Sequence, residues 1–102
     1  MSYRVTIEQE ARNNLRTHFQ NLRKRNPGSS YPEKWYFGIR AAIRDLANAA
    51  DAAGLAYEDR FFAESIRHRV YDSYKILFVI RGDRVHVLHI RHQSQNPEDV
   101  IG

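Results

Sequence analysis

The chain has 102 residues, the length of a single domain, and it contains no cysteine, so neither a disulfide nor a thiolate metal site holds it together. No apolar run approaches the roughly 20 residues that cross a bilayer, and the first residues lack the apolar core of a signal peptide, so we expect a soluble cytoplasmic protein. The net charge of +4 favours an anionic partner, either nucleic acid or an acidic protein segment, with solubility alone as the alternative explanation.

The first predicted elements are a short strand and an amphipathic helix. Residues 3–7 (YRVTI) alternate apolar and polar side chains, which is typical of a strand. After Glu8 the apolar residues recur at intervals of three and four, as on one face of a helix, and they are Ala11, Leu15, Phe19 and Leu22. This helix is predicted to end at residues 26–30 (NPGSS), because proline and glycine do not continue it.

A second helix is predicted to begin near Ser30, which has capping-box spacing to Glu33. Its apolar stripe consists of Trp35, Ile39, Ile43, Leu46 and Ala50. We expect it to end around DAAG, with Gly54 as the stop. Residues 55–62 (LAYEDRFF) are interpreted as a connection with some local order, whose two phenylalanines either pack in the core or contact a partner.

Three strands are predicted in the last third of the chain, at residues 64–71, 74–81 and 84–92. The first alternates Ile66, His68 and Val70 against Arg67, Arg69 and Tyr71. The second is apolar on both faces, which indicates an interior strand, and the dipeptide GD after it is a two-residue hairpin loop. Strict alternation in the third places Val85, Val87, His89 and Arg91 on one face and His86, Leu88, Ile90 and His92 on the other.

This order of elements predicts an α+β fold. The N-terminal strand is expected to join a small, mostly antiparallel sheet of about four strands. The two helices should form a hairpin that covers one face of the sheet, because amphipathic elements bury their apolar sides. The other face is left partly open. We expect residues 1–102 to form one such domain.

Three stretches of the sequence resemble the RelE/ParE superfamily of toxins from type II toxin–antitoxin systems, the plasmid stabilisation type. They are residues 3–15 (YRVTIEQEARNNL), 35–47 (WYFGIRAAIRDLA) and 74–92 (YKILFVIRGDRVHVLHIRH). The resemblance implies a growth-inhibiting toxin that an antitoxin neutralises, and this antitoxin is expected to be acidic and encoded adjacently. It implies no cofactor. RelE-like members cut messenger RNA on the ribosome, whereas ParE-like members inhibit DNA gyrase.

We predict inhibition of translation by metal-independent cleavage of messenger RNA. The alternatives are a ParE-like toxin that binds gyrase, a catalytically inactive relative, and an unrelated basic binding domain. RNA cleavage needs a base, an acid, and cations that stabilise the pentacovalent phosphate. Lys75 stands where the ribonuclease members carry arginine, and a histidine near the position of His92 acts as acid or base in some of them. The predicted catalytic residues are therefore Arg67, Lys75 and His92, and the predicted nucleic-acid contacts are Arg69, Arg81 and Arg91.

Several of the predicted site residues also fit a purely structural role. Arg67 and Arg69 lie two apart on one strand face, which can simply be solvated. The methylenes of Lys75 can cover apolar surface. His86 and His89 are expected to pack or to form hydrogen bonds.

Two further observations limit the site. A metal site is disfavoured, because alternation places only His86 and His92 on a shared face, about 20 Å apart in an extended strand. The segment from Gln93 to Gly102 contains no arginine or tyrosine, whereas the ribonuclease members continue with basic residues and often a tyrosine. This difference counts against catalysis more than against toxin ancestry.

Overall fold

The computed structural model describes residues 2–95. Its elements are β1 (Arg4–Ile7), α1 (Gln9–Arg25), α2 (Tyr31–Ala49), β2 (Arg67–Tyr71), β3 (Tyr74–Arg81) and β4 (Arg84–His92). Two short 3₁₀ helices, Ala50–Ala52 and Tyr57–Phe61, lie between α2 and β2. The predicted order of elements and the α+β class are confirmed. The end of the predicted domain, residues 96–102, lies outside the described residues, and neither described helix is long and apolar enough to cross a membrane.

The four strands form one mixed sheet in the order β1-β4-β3-β2. The β2–β3 and β3–β4 pairs are antiparallel hairpins, whereas β1 runs parallel to β4. The parallel pair is possible because the helical hairpin provides the long connection that parallel strands need. The predicted small, mostly antiparallel sheet is therefore confirmed.

Both helices pack on one face of this sheet and supply the main core. Most buried side chains of the helices belong to the predicted stripes, with Trp35, Ile39, Ile43 and Leu46 from α2 and Ala11, Leu15 and Leu22 from α1. Phe19 of the predicted stripe is only partly buried, and Pro32 and Ala42 are buried outside it. The sheet contributes Tyr74, Ile76, Phe78, Val85, Val87 and Ile90. The helical period of three and four residues thus identified the buried side of each helix correctly.

The ends of α2 differ from the prediction. Ser30 already has helical backbone angles and its hydroxyl makes no capping bond, so the predicted capping box is absent. The Ser29 hydroxyl instead accepts a hydrogen bond from the backbone N–H of Tyr31 at 3.1 Å. At its other end α2 continues from Ala49 into the 3₁₀ helix Ala50–Ala52, so Gly54 is not the residue at which the helix stops.

Each hairpin has a two-residue loop, and the GD loop of the β3–β4 hairpin is the one that the sequence predicted. The first loop residues, Asp72 and Gly82, have φ angles of 53° and 61°, the left-handed conformation common in tight hairpin loops. The Tyr31 hydroxyl donates a hydrogen bond to the Asp72 carboxylate, and this bond raises the pKa of Tyr31 to about 12. The contact ties the start of α2 to the β2–β3 loop.

A β-bulge in β4 changes the faces on which its side chains lie. Leu77 pairs with His89 and Phe78 pairs with Val87, so Leu88 has no partner in the register. Before the bulge the odd-numbered residues of β4 face the helices, and after it the even-numbered residues do. The predicted strict alternation along residues 84–92 is therefore wrong, because it assumed that the period of two continues through the whole strand.

Gly38 gives a test of how closely α2 approaches β2. A Cβ atom at this position would lie 1.8 Å from the Tyr71 hydroxyl oxygen and 2.6 Å from its Cζ atom. Gly38→Ala should therefore destabilise the protein by about 1–3 kcal/mol through overpacking. In a Tyr71→Ala protein the same change should instead stabilise by up to about 1 kcal/mol, because alanine favours the helix. Urea unfolding of the four proteins measures both values, and equal effects in the two backgrounds would contradict the close approach.

Candidate functional site

The three predicted catalytic residues lie on two different faces of the sheet. Arg67 pairs with Phe78 and so faces the helices. His92 pairs with Tyr74 and also lies on the helix-covered face. Lys75 points to the opposite face, since it alternates with the buried Tyr74 and Ile76. The structure therefore does not bring the three residues together. Lys75 lies on the other face, and Arg67 and His92 pair with Phe78 and Tyr74, four residues apart along β3. The catalytic roles stay a prediction.

Arg67 and Arg69 share a face, as predicted, and they tie β2 to α2 and to the chain that follows it. The Nη1 atom of Arg67 donates to the backbone carbonyl of Ala53 at 2.5 Å. The Nη1 atom of Arg69 donates to the Asp45 carboxylate at the same distance. Both guanidinium groups thus have partners within the chain itself.

Arg91 is buried in an ion pair with Glu58. The Arg91 residue is 2% exposed and Glu58 is 0% exposed. Nε of Arg91 donates to the Glu58 carboxylate at 2.6 Å and Nη2 donates at 3.5 Å, while Nη1 donates to the backbone carbonyl of Gln95 at 3.3 Å. A buried charge needs such partners, because leaving one ion unpaired in the interior costs several kcal/mol. Arg91 is therefore not at a surface that nucleic acid reaches in this structure.

Glu58 belongs to a segment that lies over the sheet face opposite the helices. We call residues 53–66 the covering segment. Its side chains Ala56 and Ile66 form a second, smaller apolar cluster with Leu77, Val79 and Leu88. The Asp59 carboxylate fixes the segment by accepting a hydrogen bond from the backbone N–H of Ile66 at 2.8 Å. The face predicted to be partly open is thus covered in its centre, and Phe61 and Phe62 remain partly exposed.

Arg81, at the exposed end of β3, also has a carboxylate partner. Its Nε and Nη2 atoms donate to the two oxygens of Glu64 at 2.8 and 2.6 Å. All three arginines predicted to contact nucleic acid, Arg69, Arg81 and Arg91, therefore bond to carboxylates of the same chain.

Three histidines lie on the sheet face that carries the covering segment. Burial lowers the pKa of His68, and the nearby cation of Lys75 acts in the same direction. Burial also lowers the pKa of His89, against the opposing effect of the Glu10 carboxylate 3.9 Å away. The third, His86, has its Nδ1 atom 2.7 Å from the Glu8 carboxylate. The predicted packing or hydrogen-bonding role fits both His86 and His89.

A second group of titratable side chains lines a cavity of about 200 Å³ at the end of the sheet. The rings of His18 and His92 each lie 4.9 Å from the ring of Tyr74, centroid to centroid. Arg25, in the last turn of α1, lines the same cavity. His18 is not among the predicted site residues, although its spacing of three from Leu15 and four from Leu22 places it on the apolar face of α1.

The hydrogen bonds of these two histidines define their neutral tautomers. Nε2 of His18 lies 2.9 Å from the Ile90 carbonyl oxygen, which only accepts, so Nε2 carries the proton and Nδ1 is an acceptor. Nδ1 of His92 accepts from the backbone N–H of Ser94 at 3.0 Å, so its proton lies on Nε2. Burial lowers the pKa of His18, which favours this neutral form. The cavity thus combines a proton acceptor, a proton donor and a nearby cation.

The histidines of β4 are distributed differently from the prediction. The bulge at Leu88 places His86 and His89 on one face and His92 on the other, so the predicted shared face of His86 and His92 is wrong. Within residues 2–95, no group of three or more histidine, aspartate or glutamate side chains is arranged to hold a metal ion.

No protein-family model matches the chain, and no curated protein matches it. Solved structures do share its fold. The chain resembles one in the chromosomal ParDE toxin–antitoxin system from P. aeruginosa, with a TM-score of 0.74 and 15% identity over 89% of this chain and 96% of that one. It also resembles a chain of the RelBE2 toxin–antitoxin complex from Mycobacterium tuberculosis, with a TM-score of 0.64 and 16% identity over 90% and 99%. These likenesses confirm the predicted RelE/ParE-like fold.

The buried ion pair should dominate the stability of the covering segment. Glu58→Leu leaves Arg91 buried without its anion and should lower the free energy of unfolding by roughly 3–5 kcal/mol. The double variant Glu58→Leu/Arg91→Met should recover most of this loss, because neither ion then remains in the interior. Urea unfolding measures the free energy of unfolding of both variants. Glu64→Leu, which removes the carboxylate of the exposed Arg81–Glu64 pair, is the matched control. A loss at Glu64 as large as that at Glu58 would contradict the importance of burial.

The lowered pKa values of His68 and His89 predict that stability depends on pH. Both values lie below the ordinary 6.5 in the folded protein, so the unfolded chain binds more protons as the pH falls through 6.5. The contribution of these two histidines to the free energy of unfolding should be complete above the ordinary pKa of 6.5, which they have in the unfolded chain. It should decrease as the pH falls below that value. Urea unfolding between about pH 7.5 and 5.5 tests this, and the double variant His68→Gln/His89→Gln should show a smaller decrease. If the double variant loses as much stability as the wild type over this pH range, other groups cause the decrease.

Proposed function

We propose that this protein is the toxin of a type II toxin–antitoxin system and that an antitoxin holds it inactive. The fold it shares with chains of the ParDE system and the RelBE2 complex supports the proposal. The resemblance of residues 3–15, 35–47 and 74–92 to RelE/ParE toxins supports it independently of the structure. The net charge of +4 suits an acidic partner.

The contacts of the sheet arginines favour a toxin that binds a protein target, such as DNA gyrase, over one that cleaves RNA. The observation that carries this choice is that Arg69, Arg81 and Arg91 each bond to a carboxylate of the chain itself. An arginine whose donors already bond to a carboxylate offers a phosphate little net charge. For RNA to contact Arg91, the covering segment would also have to leave the sheet.

A ribonuclease remains the second candidate, on the basis of the cavity beside Tyr74. Phosphodiester cleavage by the ribose hydroxyl needs one group that accepts a proton and another that donates one. Nδ1 of His18 and Nε2 of His92 are such groups, and Arg25 adds a cation that would stabilise charge on phosphorus. In this form of the hypothesis, His18 takes part in place of the predicted Lys75.

Controlled expression of the protein in bacteria distinguishes the two candidates. We expect growth arrest, relaxed plasmid DNA and intact messenger RNA, measured by gel mobility of plasmid topoisomers and by primer extension. With purified components, the protein should inhibit supercoiling by gyrase. The double variant His18→Gln/His92→Gln should retain these effects, provided that its thermal unfolding shows a folded protein. Co-expression of the adjacent gene product should restore growth and give a soluble complex.

Two outcomes would change this assignment. Cleaved messenger RNA that disappears in the His92→Gln variant, with plasmid supercoiling intact, would support the ribonuclease. Normal growth at high expression, with no protein co-purifying from cells that express the adjacent gene, would contradict a toxin of either kind.

A further inference from the structure

The cavity beside Tyr74 is small, and its lining is polar. Its volume of about 200 Å³ lies below the roughly 300–1,000 Å³ of sites for drug-sized ligands, so it suits one small group rather than a whole nucleotide. Apart from Leu22, each described lining residue carries a side-chain group that forms hydrogen bonds. The cavity lies where α1 and β4 end and β3 begins, and none of its described lining residues belongs to the covering segment.

The charge of this cavity is positive. Arg25 is exposed and forms no ion pair within residues 2–95, and no carboxylate is among the described lining residues. Burial raises the pKa of the Tyr74 hydroxyl, while Arg25 acts in the opposite direction and the Asp72 carboxylate in the same one. Asp72 already accepts the hydrogen bond of the Tyr31 hydroxyl. An anion in the cavity would therefore meet a cation that has no other partner in the described chain.

The end of α1 is compatible with a bound anion. The last carbonyls of a helix carry partial negative charge, which normally disfavours an anion there. Asn26 reduces this effect, because its backbone N–H and its side-chain amide both donate to the Leu22 carbonyl, at 3.0 and 2.8 Å. Three basic residues, Arg23, Lys24 and Arg25, also occupy the last turn of the helix.

The two histidines give the cavity one hydrogen-bond acceptor and one donor. Nδ1 of His18 accepts, since Nε2 donates to the Ile90 carbonyl, and burial lowers the pKa of His18 and so keeps Nδ1 free of a proton. Nε2 of His92 donates, since Nδ1 accepts from the Ser94 N–H. Both rings pack against Tyr74 with centroid distances of 4.9 Å. A ligand that pairs with both histidines must therefore offer an acceptor and a donor.

We propose that this cavity binds a terminal phosphate group that carries one proton, either inorganic phosphate or the end of a phosphomonoester. The P–OH would donate to Nδ1 of His18, and Nε2 of His92 and the guanidinium of Arg25 would donate to the other oxygens. A phosphodiester has no such proton and continues as a chain on both sides. The inference goes beyond the proposed function, because neither binding a protein target nor cleaving RNA requires a bound terminal phosphate.

A comparison of phosphate with sulfate tests whether the cavity recognises the proton. At about pH 7 inorganic phosphate always carries a P–OH, whereas sulfate carries none. We expect inorganic phosphate to shift the ¹H–¹⁵N NMR signals of the His18 and His92 rings in a saturable manner. Sulfate at the same ionic strength should bind about tenfold more weakly, the order expected for one lost hydrogen bond to a charged group. Equal affinities for the two anions, or no saturable shift at millimolar phosphate, would overturn the inference.

Three variants test the assigned roles by the same titration. His18→Phe keeps a ring against Tyr74 but removes the acceptor, so its affinity for phosphate should fall to that for sulfate. Arg25→Gln should weaken the binding of both anions about tenfold. Lys24→Gln removes the neighbouring exposed cation, which does not line the cavity, and should change either affinity less than about twofold. Equal losses in Arg25→Gln and Lys24→Gln would contradict the site, and this comparison holds even if thermal unfolding shows that His18→Phe does not fold.

Methyl phosphate and dimethyl phosphate distinguish the sources of the phosphate group. At about pH 6 roughly half of a phosphomonoester carries the proton, whereas the diester carries none. Binding of methyl phosphate as tightly as inorganic phosphate would identify a phosphomonoester as the ligand, and binding of inorganic phosphate alone would identify free phosphate. Dimethyl phosphate that binds as tightly as methyl phosphate would overturn the inference. These measurements need no toxicity, so their failure leaves the proposed function untouched.

Discussion

An extra residue in β4, Leu88, determines which side chains reach each face of the sheet. It lets Val87 and Ile90 both enter the core beneath the helices, although they are three residues apart. As a result, Arg91 points to the opposite face, where Glu58 of the covering segment meets it. The orientation of Arg91 toward Glu58 and the separation of His92 from Lys75 both follow from this one bulge. Without it, Arg91 would face the helices, where no carboxylate lines the core.

The arginines of the sheet and those of the helical hairpin differ in whether they form ion pairs. On the sheet, Arg69, Arg81 and Arg91 each pair with a carboxylate, and these pairs contribute to the geometry of the fold rather than to a free positive surface. Two other sheet arginines bond to uncharged groups, Arg67 to a backbone carbonyl and Arg84 to the Thr6 hydroxyl. On the helical hairpin, Arg12, Arg16 and Arg40 remain without such partners among the described residues. The formal charge of +4 therefore says little about where an anionic partner binds, because the distribution of paired and unpaired cations decides it.

The sequence was sufficient to predict the elements, the buried stripes of both helices and the layer arrangement, because these depend on hydrophobic period and on turn residues. It was not sufficient for the contacts that arise between distant parts of the chain. The partner of Arg91 is Glu58, which lies 33 residues away in a connection without a clear period. The bulge at Leu88 could not be predicted from the sequence either, since valine, leucine, isoleucine and histidine fit either face of a strand. His18 was the exception, because its place on the apolar stripe of α1 was available from spacing alone.

An active site beneath the covering segment would be costly in free energy, because the segment would have to leave the sheet before a ligand could bind. To expose Arg91, the segment would have to give up the ion pair with Glu58 and the apolar cluster of Ile66 with Leu77, Val79 and Leu88. Separating a buried ion pair costs several kcal/mol, whereas an arginine that moves from a carboxylate to a phosphate exchanges one bidentate anion for another and gains little. A ligand would therefore need additional contacts to open this face.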